Sequence, residues 1–341
     1  MSMKAWTFTR RGHTLHTLQL TTLPRPDPTN LHDDELSSLL AWVVPSFIRT
    51  TPSVPEYDFS GRVVATGKAV SHLSVGDDVF GAIAPGQHVR LGRGTLAEYV
   101  VAQRDGVWRK PEGVSFEEAA GLGCVGLTAF YVVSKSGLKP GGRVLINGGS
   151  GGVGLSTIQV AREVLGPEGT IVTTCSGKNA ELVKRMGADE VVDYTQHASL
   201  PHYLASTYST KPFDAIIDTV GTSQALYYGS PKYLAQGKPF LAIGTPMGDG
   251  LTWTNLFRNI SMQASNNLWP VFLGGTPRTW TFISSEQAGV DIWKTLQTAV
   301  AEGRHKVKID SVFAMDDAKK AYERMFSRRA QGKVVVKVQD L

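Results

Sequence analysis

Cysteine is nearly missing from this chain: Cys124 and Cys175 are the only two in 341 residues. That rules out a disulfide framework and a four-cysteine zinc site. Runs of one charge are missing as well. The formal charge is only +5, and no Lys/Arg block stands out, which argues against nucleic acid and suits small anionic ligands. Long apolar runs are also absent. The most hydrophobic stretch, "LLAWVVPSFI" from Leu39 to Ile48, contains Pro45 and is far shorter than the roughly 20 residues of a spanning helix. The opening "MSMKAWTFTRRGHT" lacks the apolar core of a secretory leader. Together these absences lead us to expect a reduced, cytoplasmic protein with no transmembrane segment.

What is present is an ordinary globular composition, 42% apolar and 19% charged, rich in glycine, on a chain long enough for two cores. The first third is β-rich. "MKAWTFTRRG", "SGRVVATG", "DDVFGAI" and "LAEYVVA" are short β-like runs between glycine turns. At Ser115 the texture changes. Ser115 and Glu118 have capping-box spacing and open the helical segment "SFEEAAGLGCVGLTAFYVVSKSG". Expected strands at 143–147, 170–175, 190–193, 214–219 and 239–243 then alternate with helical or loop segments, the pattern of a parallel α/β sheet. Near the end, "EQAGVDIWKTLQTAVAEG" and "DDAKKAYERMFSRRA" read as helices, and "KVKIDSVF" and "KVVVKV" as strands.

The glycine-rich "INGGSGGVG" lies between a short apolar run and an apolar-faced helical stretch. It contains G-x-G-x-x-G as Gly149, Gly151 and Gly154. In that context each glycine has a physical job: a tight turn, close approach of backbone to a diphosphate, and close helix-to-strand packing. Packing alone is the plainer alternative. The following strand ends in "TTCSGKN", with no Asp or Glu to grip a ribose 2′-hydroxyl. Ser176 and Lys178 instead offer a hydroxyl and a cation suited to a 2′-phosphate, which favours NADP(H) over NAD(H). Lys178 also fits an ordinary solvated surface lysine.

These residues carry a resemblance. "PEGVSFEEAAGLGCVGLTAFYVV", "INGGSGGVG", "TTCSGKNAELVKRMGADEVVDY", "FDAIIDTVG" and "GKVVVKV" resemble the medium-chain dehydrogenase/reductase superfamily. The nearest branch is that of the zinc-independent, zeta-crystallin-like quinone oxidoreductases and enoyl reductases. The likeness runs from about Tyr57 to the C-terminus. It implies an α/β architecture in which a GroES-like β-rich domain accompanies a doubly wound, parallel Rossmann domain that binds NADP(H). The implied division is a GroES-like catalytic domain over 1–120, a Rossmann domain over 121–284, and a return to the first domain over 285–341.

Carried over by position, the resemblance implies that Ser150, Gly151, Gly152, Val153 and Gly154 hold the pyrophosphate, with Ser176 and Lys178 at the 2′-phosphate. Tyr194 matches a tyrosine near the adenosine phosphate, and Thr128 a threonine near the nicotinamide ribose. Val220, Gly221, Ile243 and Gly244 match backbone lining the nicotinamide end, and Lys333 the lysine of the closing segment. "FLGGTPR", with Phe272, Leu273 and Gly274, resembles a loop over the cofactor that shapes the substrate pocket. Tyr194 equally fits an aromatic at a strand end, Thr128 a helix threonine bonded to its own backbone, and Lys333 an exposed lysine.

Zinc is not expected. "PEYDFSG" stands where zinc-dependent relatives have Gly-His-Glu, no cysteine precedes Cys124, and His13, His16, His32, His72 and His88 lack ligand spacing. The chain departs from its relatives just before this point, where the Asn-Pro-x-Asp turn and a tyrosine-bearing loop are replaced by the Leu39–Ile48 run. The proton donor is therefore unassigned. The Leu39–Ile48 run reads first as a repacked core strand, with an apolar pocket wall or a membrane-surface or partner contact as the alternatives. On the pocket reading Trp42 and Tyr57 are candidate pocket residues, and Trp42, Phe47, Trp269 and Phe272 candidate apolar walls. Hydride transfer to a conjugated carbonyl needs orientation, polarisation and a dry pocket, with solvent able to supply the proton. The expected activity is NADPH-dependent reduction of a hydrophobic quinone, enone or enoyl group. An NADPH-binding protein without reductase activity and a non-redox isomerase or cyclase remain alternatives. A homodimer is the family habit.

Overall fold

The structure is a computed structural model that describes residues 1–8, 14–26, 52–83, 91–221, 224–243, 253–327 and 329–340. Trp42, Phe47 and the rest of the Leu39–Ile48 run, together with Gly244, lie outside the described residues. The chain divides into two units: Met1–Val125 with Gly289–Leu341, and Gly126–Ala288.

In the first unit, β1 (Ser2–Phe8) pairs antiparallel with β2 (Leu18–Pro24). A three-stranded antiparallel sheet follows, with β3 (Asp58–Arg62), β4 (Asp78–Ala82) and β5 (Val107–Arg109). The segment "LAEYVVA" was expected as a strand, but it makes only an isolated bridge, Ala97 to Ala5. Its Leu96, Ala97 and Val101 are buried all the same. Its pairing with β1 is confined to that bridge and the two backbone bonds around it, Trp6 N–H to the Leu96 carbonyl and Glu98 N–H to the Lys4 carbonyl. Ser115 forms the expected capping box with Glu118 on the helix Phe116–Ala120. The anticipated single helix then breaks at Gly121–Leu122 and resumes as Gly123–Ser136.

The second unit is built on β6 (Arg143–Asn147), β7 (Thr170–Cys175), β8 (Glu190–Asp193), β9 (Ala215–Asp218), β10 (Pro239–Ala242) and β11 (Thr279–Phe282). All are parallel, in the order β11-β10-β9-β6-β7-β8. Val144, Leu145, Ile146, Ile171, Val172, Ile216 and Ile217 are fully buried, as strands covered on both faces must be. The strand order reverses between β6 and β9, so the ends of these two strands flank the switch point where such sheets bind ligands. The first five strands match expectation to within a residue. The sixth was not anticipated, because "TWTF" carries too little apolar pattern to stand out.

The chain then returns to the first unit through the helix Val290–Ala301, the strands β12 (Ile309–Ala314) and β13 (Lys333–Lys337), and the helix Ala318–Phe326 between them. One core joins the two chain ends: Met3, Ala5, Trp6 and Leu18 pack with Met315, Ala318 and Tyr322. The Trp6 indole N–H donates to the Met315 carbonyl at 2.8 Å. Trp293 stacks on Trp108 at 6.1 Å and meets Phe80 edge-on at 6.0 Å.

His305, between the Val290–Ala301 helix and β12, is 2% exposed. Burial pushes its imidazole down to about 4. An unfolded histidine titrates near 6.5, so the stabilisation from keeping His305 neutral is complete above that pH and is lost as pH falls towards 4. The loss is on the order of 3 kcal/mol. Urea unfolding of the wild type and of His305→Gln across pH 7 to 4 checks this. The stability gap between them should narrow on acidification, and a constant gap contradicts it.

Candidate active site

The glycine turn after β6 is crowded from within. Gly148 takes φ +82, and its N–H donates to the Thr174 hydroxyl at 3.0 Å. A Cβ on Gly149 would collide with Thr173 Oγ1, and one on Gly154 with the Gly148 carbonyl. Both glycines are therefore required by the chain's own packing. Gly151 differs. Its φ of −76 suits any residue, and the nearest atom to an added Cβ is the Gly148 carbonyl oxygen at an ordinary 3.6 Å. Nothing within the described chain demands glycine there. Gly151 is the N-cap of the helix Gly152–Leu165, with no side chain bonded across the end. The first N–H groups therefore point outward and favour an anion. The arrangement fits a diphosphate carried close to the backbone.

Beside this turn, Asn179 spans two candidate residues. Its Nδ2 donates to Ser150 Oγ at 3.0 Å and, more weakly, to Ser176 Oγ at 3.4 Å. Nothing in the sequence singles out Asn179, because a lone Asn after a strand carries no pattern. Lys178 is exposed and pairs with no carboxylate among the described residues. Tyr194 is 52% exposed and opens the turn after β8. No acid ends β7, yet Asp193 at the end of β8 reaches the same corner. The Thr195 hydroxyl, with the Thr195 and Gly177 N–H groups, holds the Asp193 carboxyl below the usual carboxylate range despite some desolvation. A Cβ on Gly177 would lie 2.5 Å from Asp193 Oδ2, so a side chain there would push the carboxylate aside. Cys175, ending β7, is buried and its thiol is pushed up to about 11, chiefly by burial and then by Asp193. It is a packing residue.

At the end of β9, Asp218 is 2% exposed. Its Oδ1 accepts from Asn147 Nδ2 at 2.7 Å, Val220 N at 3.0 Å and Gly221 N at 3.1 Å. Burial raises its pKa in spite of those donors. Val220 is exposed, Gly221 has φ +68, and the Ile243 N–H donates to the Asp218 carbonyl at 2.9 Å. Thr128 is buried on the helix Gly123–Ser136. The loop with Phe272, Leu273 and Gly274 is tied by the Trp269 indole N–H to the Leu273 carbonyl at 2.9 Å. Phe272 and Trp269 are 86% and 58% exposed.

In the first unit, Asp58 is the centre of a charged cluster. Oδ1 accepts the Cys124 N–H at 2.6 Å, and Oδ2 takes the Lys333 ammonium at 2.8 Å. Burial works against the Lys333 charge, but Asp58 holds its pKa above the ordinary lysine range. Lys333 is thus a paired, largely buried lysine. Glu56 accepts from the Tyr322 hydroxyl and has φ +72, a non-glycine residue in the left-handed region. Such strain often accompanies function. Tyr57 lies between these two acids. Among the described residues no three His, Cys, Asp or Glu come together to hold a metal ion. No described helix is long and apolar enough to cross a membrane.

Known proteins share this architecture. Residues 33–112 match the alcohol dehydrogenase GroES-like domain, and residues 186–336 match the zinc-binding dehydrogenase family. The chain is 34% identical over 384 aligned residues to the trans-enoyl reductase poxH of Penicillium oxalicum, which covers 99% of this chain and 98% of the relative. It is 31% identical over 297 residues to the human mitochondrial NAD(P)H oxidoreductase RTN4IP1, covering 82% of this chain and 69% of that one. The solved quinone oxidoreductase of Coxiella burnetii superposes with a TM-score of 0.76 at 26% identity, over 99% of this chain and 100% of the other. The chain belongs to the medium-chain dehydrogenase/reductase superfamily, in its enoyl and quinone reductase branch. It is an oxidoreductase of small molecules that uses a nicotinamide cofactor.

The two glycines separate packing from binding. Gly149→Ala should lower stability by about 1–3 kcal/mol through overpacking, with partial rescue by Thr173→Ala. Gly151→Val should leave the melting temperature of the apo protein nearly unchanged and abolish nicotinamide cofactor binding. Thermal melts beside fluorescence titration of the cofactor read both. A Gly151→Val protein that retains full affinity contradicts the assignment of the diphosphate to this turn.

Proposed function

We propose that the protein is an NADPH-dependent, zinc-independent reductase of a hydrophobic conjugated carbonyl: a quinone, an enone or an enoyl group. The observation that carries the cofactor preference is the corner after β7. The exposed Lys178 stands free of carboxylate partners among the described residues, beside Ser176 and the bridging Asn179. Asp193 is near, but its carboxylate is committed to Thr195 and the Gly177 N–H. It therefore serves as the anchor of the turn rather than as a grip for a ribose diol. A 2′-phosphate on this corner gains a cation and a hydroxyl.

The names of the relatives, an enoyl reductase and a quinone oxidoreductase, support a conjugated carbonyl as substrate. Bound NADPH supplies a hydride. The chain's own residues bind and orient it: Ser150 to Gly154 at the diphosphate, and Val220, Gly221, Ile243 and Gly244 towards the nicotinamide. Thr128 and Tyr194 are further proposed cofactor contacts in the second unit, and Lys333 is one in the first. Tyr57 and the Phe272–Gly274 loop, with Trp42, are the proposed substrate contacts. Solvent supplies the proton in this proposal, which requires no dedicated acid.

Oxidation of NADPH in the presence of a panel of quinones and enones tests the reductase reading. Cofactor binding without turnover of any acceptor would favour a binding protein or a non-redox enzyme instead. Lys178→Ala should weaken NADPH about tenfold to a hundredfold, the loss expected for a charged hydrogen bond, with NADH nearly unchanged. Equal loss for both cofactors rules out a phosphate clamp. Chelators should leave the activity unaltered, and one tightly held zinc per chain would overturn the zinc-free mechanism.

A further inference from the structure

A continuous chain of polar contacts crosses the ends of β7, β6 and β9. The Gly148 N–H donates to Thr174 Oγ1 at 3.0 Å, and that hydroxyl donates to Asn147 Oδ1 at 2.5 Å. Asn147 Nδ2 donates to Asp218 Oδ1 at 2.7 Å, which also receives the Val220 and Gly221 N–H groups. Thr174, Asn147 and Asp218 are 1%, 6% and 2% exposed. None of the three is accessible enough to serve as a contact surface. What they hold is backbone. One end of the relay fixes the first residue of the glycine turn, and the other fixes the loop after β9. A second bond reinforces the link, because Thr219 Oγ1 donates to the Asn147 carbonyl at 2.8 Å.

We propose that Thr174, Asn147 and Asp218 are positioning residues that set the span between the diphosphate turn and the Val220–Gly221 loop, and thereby the seat of the nicotinamide. This rests on the proposed placement of the cofactor along those two segments. A polar relay is suited to the task because its members are mutually satisfied and buried, where an unmade bond is costly. Each bond has a restricted length and direction, so the two loops cannot drift independently. An apolar contact would fill the same space without fixing the direction of two backbone N–H groups.

The relay predicts an uneven loss. The adenosine end of the cofactor, represented by 2′,5′-ADP, touches neither Val220 nor Gly221 in the proposed placement, whereas NADPH reaches both. Asp218→Ala should weaken NADPH about tenfold or more, in line with the loss of a buried charged acceptor, and leave 2′,5′-ADP within about twofold. Thr174→Val, close in shape, removes two relay bonds and should also weaken NADPH, with a lowered melting temperature from the unmade bonds. Asp218→Asn, which keeps an acceptor oxygen, should restore most of the NADPH affinity. Calorimetric titration of wild type and variants with both ligands reads these values without any turnover. Parallel loss of the two ligands, or unchanged NADPH affinity in Thr174→Val and Asp218→Ala, overturns the positioning role. A wild-type protein that holds neither ligand overturns the cofactor placement beneath it, and is recognised before any variant is made.

Discussion

The start of the helix Gly152–Leu165 is jammed against the ends of β6 and β7, and much of the second unit follows from that crowding. A side chain at Gly149 would overlap Thr173, and one at Gly154 would overlap the Gly148 carbonyl. The turn can close only with glycine at both positions. Closure brings the helix end directly above the strand ends, where its free N–H groups face outward. The same closeness lets Thr174 reach the Gly148 N–H and lets Asn147 reach Asp218. Backbone crowding and the polar relay are two consequences of one short strand-to-helix connection. Gly151 is the exception, since the described chain leaves room there for a side chain.

The first unit solves a different problem. Asp58 and Lys333 come from positions far apart in sequence, yet form a pair whose side chains are only 12% and 23% exposed. Such a pair is tolerated because the carboxylate also accepts the Cys124 N–H, at the start of the helix Gly123–Ser136. That bond supplies one of the acceptors a helix start lacks. The return of the C-terminal segment is therefore both an apolar and an ionic event. Met315, Ala318 and Tyr322 complete the core of β1 and β2, while β13 delivers the lysine that balances Asp58.

Much of the second unit was legible in the sequence because its signals are local. Five strands rich in β-branched residues and leucine, separated by helical or loop segments, can be seen one window at a time. β11 escaped because "TWTF" is a short edge strand with only Trp280 buried, and edge strands need little apolar pattern. "LAEYVVA" misled for the converse reason. Its Leu96 and Ala97 are buried in the core around β1, and it meets that strand only at Ala97 and Ala5, too briefly to form a ladder. The helix broken at Gly121–Leu122 gave no warning either, since Gly121 is constrained by Val307 and Lys333, both far along the chain.

The site divides along the same line. The order of strand, glycine turn and helix, the lack of an acid after β7 and the presence of Ser176 and Lys178 are properties of consecutive residues, and the sequence determined them by itself. Asp193 beside Gly177, Asn179 between Ser150 and Ser176, and Asp218 beneath Val220 and Gly221 exist only once parallel strands are laid side by side. A hydrogen bond requires two groups within about 3 Å, and sequence spacing does not encode that distance for residues on different strands. Tertiary structure decided which polar groups are shared, because buried groups such as Thr174, Asn147 and Asp218 find their partners across the sheet rather than along the chain.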